Sequence, residues 1–458
     1  MSDELLLSYY GDDLTGSTDV LEGLARNGVR TVLFLDPPTK SDLAQFDDLD
    51  AVGIAGQSRS MTPEEMTEEL PPVFEALERL GTTLIHYKVC STFDSSPEVG
   101  SIGRAIELGQ KVFDSPFVPV SQGSRVPSGR YVVFGNLFAE QDGDVYRIDR
   151  HPTMSQHPVT PMTEADLRRH LEAQTDLPIG SVELPDLERD DDAEAALEDV
   201  VRDAEVVVFD GYDVDHVERI GRLVWERAEA ETGPLFVVGS SGIEHHALPQ
   251  HWNSIGLLEN TGSMLTPQPP AEQIAVVSGS ASPVTAAQIS WATENGFEAI
   301  RVDTERLIDP ATAADERARV VEAGIEAIDA GRSVVFYSAD GPDDPAIERT
   351  NQRFESLDVD DGLAARLGCG LGSILRRVLS ETGLKRACIA GGDTSGFVAR
   401  ELDFYALEPI AATDPGAPLC RAFSLDPAFD GLQITLKGGQ TGDVKYFGLV
   451  REGGVDAE

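Results

Sequence analysis

Short apolar runs and amphipathic stretches alternate along this chain. Residues 5–10, 31–35, 51–55, 83–89, 131–134, 206–209 and 235–238 have the length and apolar density of buried strands. Between several of them, residues 19–27, 63–80, 164–173 and 214–231 place apolar side chains at helical spacing. This alternation predicts an α/β domain around a mostly parallel sheet. Periodicity then breaks in a stretch opened by Thr261, where Pro267, Pro269 and Pro270 crowd four positions. Residues 263–271 therefore read as a linker between domains spanning 1–262 and 272–458. A second series of apolar runs, at 274–277, 297–302, 333–337, 387–390, 432–436 and 446–450, predicts a second α/β domain.

Composition narrows the picture. A chain of 458 residues fits two or three domains, and 41% apolar content supplies their cores. No run approaches the roughly 20 apolar residues of a membrane span, and the N-terminus lacks a basic signal segment, so a cytoplasmic protein is expected. Cys90, Cys369, Cys388 and Cys420 are scattered, without zinc or disulfide spacing. Charge is the unusual feature: 80 acids face 36 bases, a net −44, and the only lysines are Lys40, Lys88, Lys111, Lys385, Lys437 and Lys445. Nucleic acid would be repelled. The acids are spread along the whole chain, which points to a protein of a salt-rich cytoplasm whose self-repulsion is screened by ions.

Candidate chemistry gathers where apolar runs end. Gly11-Asp12-Asp13-Leu14-Thr15-Gly16 follows the first strand, at the sheet edge where ligands of open α/β folds bind. Its two acids can accept hydroxyl hydrogens, take a proton or hold magnesium; alternatively Asp13 caps a helix and Asp12 shapes a turn. Lys88-Val89-Cys90-Ser91-Thr92 puts a rare lysine beside hydroxyls, a set suited to a carboxylated, hydroxylated ligand. Weaker patches are His151-Pro152-Thr153-Met154 with His157–Met162, whose histidines are poorly spaced for a metal, and Gly239-Ser240-Ser241-Gly242. In the second half, Ser278-Gly279-Ser280, Gly391-Gly392-Asp393-Thr394-Ser395 and Lys437-Gly438-Gly439 are glycine- and hydroxyl-rich corners. The central corner predicts a strand, a tight turn and a helix start, which presents roughly half a positive charge to a phosphate. The plainer alternative is a turn capped by Thr394 or Ser395. Converging at one sheet edge, the three corners would make a polyanion site, with a nucleotide as the obvious occupant. Lys437 either neutralises phosphate charge or reaches solvent. P-loop, dinucleotide-binding, zincin and serine-hydrolase signatures are all absent.

Taken in order, Gly11–Gly16, Ser278-Gly279-Ser280, Gly391–Ser395, Pro415-Gly416-Ala417-Pro418 and Leu436–Gly439 resemble the motifs of the four-carbon acid sugar kinase family, over nearly the whole chain. The resemblance implies an N-terminal sugar-acid domain, a C-terminal nucleotide domain and a cleft between them that closes during ATP-dependent phosphorylation of a hydroxyl. It implies ATP contacts at Ser280, Gly391, Gly392, Asp393, Thr394 and Gly439, with Mg²⁺ bridging phosphates. Substrate contacts fall at Asp12, Asp13, Lys88, Ser91 and Thr92; the two aspartates are the catalytic pair, Asp13 being the expected base and Asp12 holding a substrate hydroxyl, or the reverse. The expected partners are a small sugar acid and ATP, with a homodimer left open. Cys90 and Asp94 stand where the family commonly has an acid and an arginine, so a cation for the substrate carboxylate is expected to be missing and a branched oxo-acid such as an oxo-isoapionate becomes a candidate. A two-domain sensor and a sugar-phosphate isomerase or lyase are the competing readings.

Overall fold

The structure is a computed structural model. It describes residues 5–123, 125, 129–141, 143–157, 159–258, 262–359 and 362–456; Pro158 and Thr261, named above, lie outside them. The chain forms two compact units, Met1–Gly262 and Ser263–Glu458.

The first unit is built on parallel strands in the spatial order Thr31–Phe34, Ala51–Ala55, Leu7–Gly11, Leu84–Lys88, Leu235–Gly239, Val118–Ser121, Val206–Phe209 and Ile179–Val182. The second and third strands in sequence lie on one side of Leu7–Gly11, and Leu84–Lys88 begins the other side. The winding therefore reverses between Leu7–Gly11 and Leu84–Lys88, which is where such sheets open a crevice. The helix Pro63–Glu78 starts at a Thr62–Glu65 capping box and buries Met66, Leu70, Phe74 and Leu77. Phe74 stands edge-on to the stacked pair Tyr10–Tyr87, with ring centroids 6.2 and 6.1 Å away, so aromatic packing locks the two strands that flank the reversal.

Two strands of this sheet escaped the hydrophobic pattern. Val118–Ser121 carries Pro119, a residue disfavoured in strand interiors, and its pairing with Leu235–Gly239 begins only at Val120. Ile179–Val182 is an edge strand with only Val182 fully buried. The run at 131–134 belongs to a separate antiparallel sheet, Arg130–Val133 with Asn136–Gln141 and Asp144–Arg147. Phe134 and Gly135 both take positive φ in its turn, where Asp210 accepts both of their N–H groups at 2.7 and 2.8 Å.

In the second unit the order is Phe297–Arg301, Ser333–Tyr337, Ala275–Ser278, Arg386–Ala390, Gln433–Lys437, Ala417–Ser424 and Phe404–Asp414. The first five are parallel, and the last two form an antiparallel hairpin through Pro415-Gly416. The winding reverses between Ala275–Ser278 and Arg386–Ala390. The run at 446–450 is a correction: it forms the helix Tyr446–Glu452, whose buried Tyr446, Phe447 and Val450 follow helical spacing, which five residues are too few to distinguish from alternation. The proline-rich stretch is also more ordered than a free linker. It runs extended along the second unit, with Thr266, Gln268 and Ala271 donating N–H groups to the carbonyls of Ile410, Gly453 and Arg451. No helix among the described residues is long and apolar enough to cross a membrane.

Candidate active site

In the first unit the strand ends Gly11 and Lys88 are in register, and the Asp12 N–H donates to the Lys88 carbonyl at 2.9 Å. Asp13 caps the helix Leu14–Arg26, accepting from the Gly16 N–H, and it also accepts from Arg59 Nη1 at 3.0 Å. The capping role weighed against chemistry is therefore real, yet it leaves Asp13 inside a charged cluster. Asp12 is 6% exposed, and its Oδ1 has no hydrogen-bond partner among the described residues. Burial, then the neighbouring Asp13 charge, pushes the Asp12 pKa up to about 7. Asp13 goes the other way: burial opposes ionisation, but Arg59 and Lys88 hold it below the usual carboxylate range.

Lys88 is 3% exposed. Burial works against its charge, but Asp19, Asp12 and Asp13 outweigh that and raise its pKa. Asp19 in turn accepts from Ser241 Oγ and from His245 Nε2, so the weak Gly239–Gly242 patch joins the same network. Thr92 is buried and donates to Asp94, while Ser91 is half-buried in the same turn. Phe93, between Thr92 and Asp94, holds φ at 55° with its ring buried 6.0 Å from His170, a costly conformation fixed by its surroundings.

Asp94, at the position where the family commonly has an arginine, is itself held by a cation from elsewhere in the chain. Arg59, from the short helical turn Ser58–Ser60, reaches Asp94 with Nη2 at 3.0 and 2.8 Å while its Nη1 holds Asp13. Asp94 also accepts from Thr160 Oγ1 at 3.1 Å, and Thr160 bonds His157 Nδ1 at 3.0 Å. One end of the histidine patch thus supports the cluster, whereas His151 Nδ1 merely accepts the N–H groups of Thr153 and Met154. Sequence reading missed Arg59, although it follows the strand Ala51–Ala55 at the same sheet edge.

In the second unit the three glycine corners meet. Gly279 N–H donates to Ala390 O at 3.0 Å, and Gly391 N–H to Lys437 O at 2.9 Å. A Cβ on Gly279 would fall 2.1 Å from Thr394 Oγ1, and one on Gly439 would fall 2.6 Å from Ser280 Oγ, so a side chain at either position would have to displace a neighbouring hydroxyl. Gly391 itself has φ 129°. The helix Gly392–Glu401 begins without a side-chain cap, because its N-cap is Gly391; Ser395 Oγ donates back to the Gly391 carbonyl at 2.8 Å. Its leading N–H groups carry no side-chain cap, so the capped-turn alternative fails. Asp393 is exposed in that first turn.

Lys437 does not reach solvent. It is fully buried, donates to Thr285 Oγ1 at 3.2 Å and Gly438 O at 2.9 Å, and burial lowers its pKa to about 8. Thr285 donates onward to Gly439 O at 2.8 Å, so Lys437 braces the glycine loop from behind. Among the described residues, no group of three or more His, Cys, Asp or Glu side chains could hold a metal by itself.

Comparison with known proteins agrees with this division of labour. Residues 7–247 match a family model described as a sugar-binding N-terminal domain, and residues 275–447 one described as a nucleotide-binding C-terminal domain. A 3-oxo-isoapionate kinase of Paraburkholderia graminis is 48% identical over 98% of this chain and 94% of its own. A 3-oxo-tetronate kinase of Pseudomonas savastanoi pv. phaseolicola is 30% identical over 96% of each. A crystal structure from Salmonella typhimurium LT2 superposes with a TM-score of 0.78 at 26% identity, covering 96% of this chain and 97% of that one. With sugar-binding and nucleotide-binding halves in order and kinases as full-length relatives, the chain belongs to the four-carbon acid sugar kinase family and is a sugar-acid kinase.

Proposed function

We propose that the enzyme uses ATP to phosphorylate a hydroxyl of a branched oxo-acid of the 3-oxo-isoapionate type. The observation that carries this reading is the charge arrangement around Asp12: a buried acid with a free oxygen, flanked by Lys88 and by an Arg59 already shared between Asp13 and Asp94. The 48% identity to the 3-oxo-isoapionate kinase, against 30% to a 3-oxo-tetronate kinase, supports the branched acid over the linear one.

Phosphoryl transfer asks the protein mainly for alignment and neutralised charge. The N–H groups of Gly392, Asp393 and Thr394, with Ser280 and Gly439, hold the ATP phosphates. Asp393 suits a metal-bridged phosphate, because an exposed carboxylate in an anion cradle would otherwise repel its ligand. Magnesium there would neutralise charge on the phosphate oxygens. Lys88 pairs with the substrate carboxylate, while Ser91 and Thr92 lie beside its hydroxyls. Asp12 takes the proton of the acceptor hydroxyl: a value near 7 makes it ionised at working pH yet basic enough to accept. Those electrostatics favour Asp12 for the part expected of Asp13, whose carboxylate is occupied by Arg59 and the helix it caps. The net −44 supports function in a salt-rich cytoplasm.

An assay of ADP release with ATP, Mg²⁺ and a panel of linear and branched oxo-acids, in molar KCl, tests this. The branched oxo-acid should give the highest kcat/KM, and Lys88→Ala should raise KM for the acid far more than for ATP. A preference for linear tetronates, or equal effects on both KM values, would overturn it.

A further inference from the structure

The strand ends beyond Lys88 carry polar atoms that the mechanism leaves unused. Ser240 follows Leu235–Gly239 and Gln122 follows Val118–Ser121, and each residue is 2% exposed. Neither Ser240 Oγ nor Gln122 Oε1 has a hydrogen-bond partner among the described residues. Buried polar atoms left this way cost stability, and natural proteins keep few of them.

Both sit against the turn that bears Ser91 and Thr92. Val89 N–H donates to Gly239 O at 2.8 Å, and Ser240 N–H to Ser121 O at 3.1 Å. The Gln122 amide folds back so that Nε2 donates to Cys90 O at 3.1 Å, which turns Oε1 away unpaired. A Cβ on Gly239 would fall 1.9 Å from Ser121 O, and one on Gly242 would fall 2.8 Å from the Gly123 Cα, so these loops pack backbone to backbone. In spatial order the strand ends carry Asp12, the Cys90 turn, Ser240 and Gln122, three of them with a buried side-chain oxygen that has no partner among the described residues. Asp12 and Ser240 lie two strand spacings apart, about 10 Å along the edge.

The donor and acceptor types say what fits. Gln122 Oε1 and a carboxylate oxygen accept only, and Ser240 Oγ accepts or donates. A ligand must therefore bring hydroxyl hydrogens there, while its own carboxylate belongs with Lys88. We propose that Ser240 and Gln122 are specificity-determining residues that bind the hydroxyl-bearing arm of the sugar acid farthest from Asp12. The inference rests on the sugar-acid reading above and assigns a second row of contacts to it. An acid whose hydroxymethyl arms diverge can engage both Asp12 and this row, and a short linear acid satisfies fewer of these atoms.

Ser240→Ala removes only the unpaired oxygen, and Gln122→Met removes the acceptor together with the bond to Cys90. In each variant KM for the acid preferred by the wild type should rise at least tenfold, with KM for ATP within twofold. Ser240→Ala should melt no lower than the wild type, because an unsatisfied buried group has been deleted, and Ser240→Thr should restore affinity. Acid KM values within twofold of wild type in both variants would overturn the proposal. So would a lower melting temperature accompanied by equal losses for ATP and acid. A wild-type chain neither active on nor stabilised by any acid of the panel would bring down the sugar-acid reading itself, and this inference with it.

Discussion

Asp12 and Asp13 are chain neighbours of identical chemistry whose pKa values are pushed in opposite directions. Arg59 and the Gly16 N–H both stabilise the Asp13 carboxylate, whereas Asp12 is buried beside that charge with an oxygen unpaired. If ionised Asp12 is the base, kcat/KM should fall about tenfold per unit below about pH 7 and level off above it. Asp12→Asn should lose about 10²–10⁴-fold and the acidic limb with it. Stability carries the reverse sign. The folded value of about 7 lies above the roughly 3.9 of an unfolded aspartate, so this group's stabilising contribution is full below the lower value and lost as pH rises through the upper one. The melting temperature of Asp12→Asn relative to wild type should therefore climb between about pH 4 and pH 8; a flat difference would refute the buried, protonated Asp12.

At the scale of elements, the recurring device is a strand ending in glycine or a small residue at a reversal of winding. Gly391 shows what the device demands. With φ at 129° and a would-be Cβ 2.9 Å from Thr394 Oγ1, Gly391→Ala must strain the turn or move the helix start. We expect a loss of about 1–3 kcal/mol in stability, read as a lower melting temperature, and a raised KM for ATP with KM for the acid unchanged. Most strands bordering the two reversals were legible in the sequence, because buried parallel strands are continuous apolar runs closed by turn residues. The strand Val118–Ser121 was hidden by its proline. The hairpin strands Phe404–Asp414 and Ala417–Ser424 were hidden because polar and charged residues break their apolar runs, as at Glu408 and Arg421. Within the site, acids, lysines and glycines beside strands were visible as local clusters. Arg59, Ser240 and Gln122 were harder to see, since their meaning depends on which strand ends become neighbours, and that is a property of the sheet order.

Over the whole molecule, the charge bears on the salt-rich setting proposed above. A net −44 spread over 458 residues repels itself at low ionic strength, and at 1 M salt the Debye length shrinks to about 3 Å. The melting temperature should rise steeply between 0.1 and 2 M KCl, and activity should follow; a chain equally stable in both would contradict the salt-rich setting. Of the 36 bases only six are lysines. Four of those lysines, Lys40, Lys111, Lys385 and Lys445, are exposed; Lys88 and Lys437 are buried, one in each unit. Their electrostatics diverge as well: burial lowers the pKa of Lys437 to about 8, while Asp19, Asp12 and Asp13 raise that of Lys88. Acylation of the native enzyme therefore meets the four surface amines and leaves both buried lysines untouched, so tagging this protein through its lysines spares the phosphate loop and the sugar-acid cluster alike.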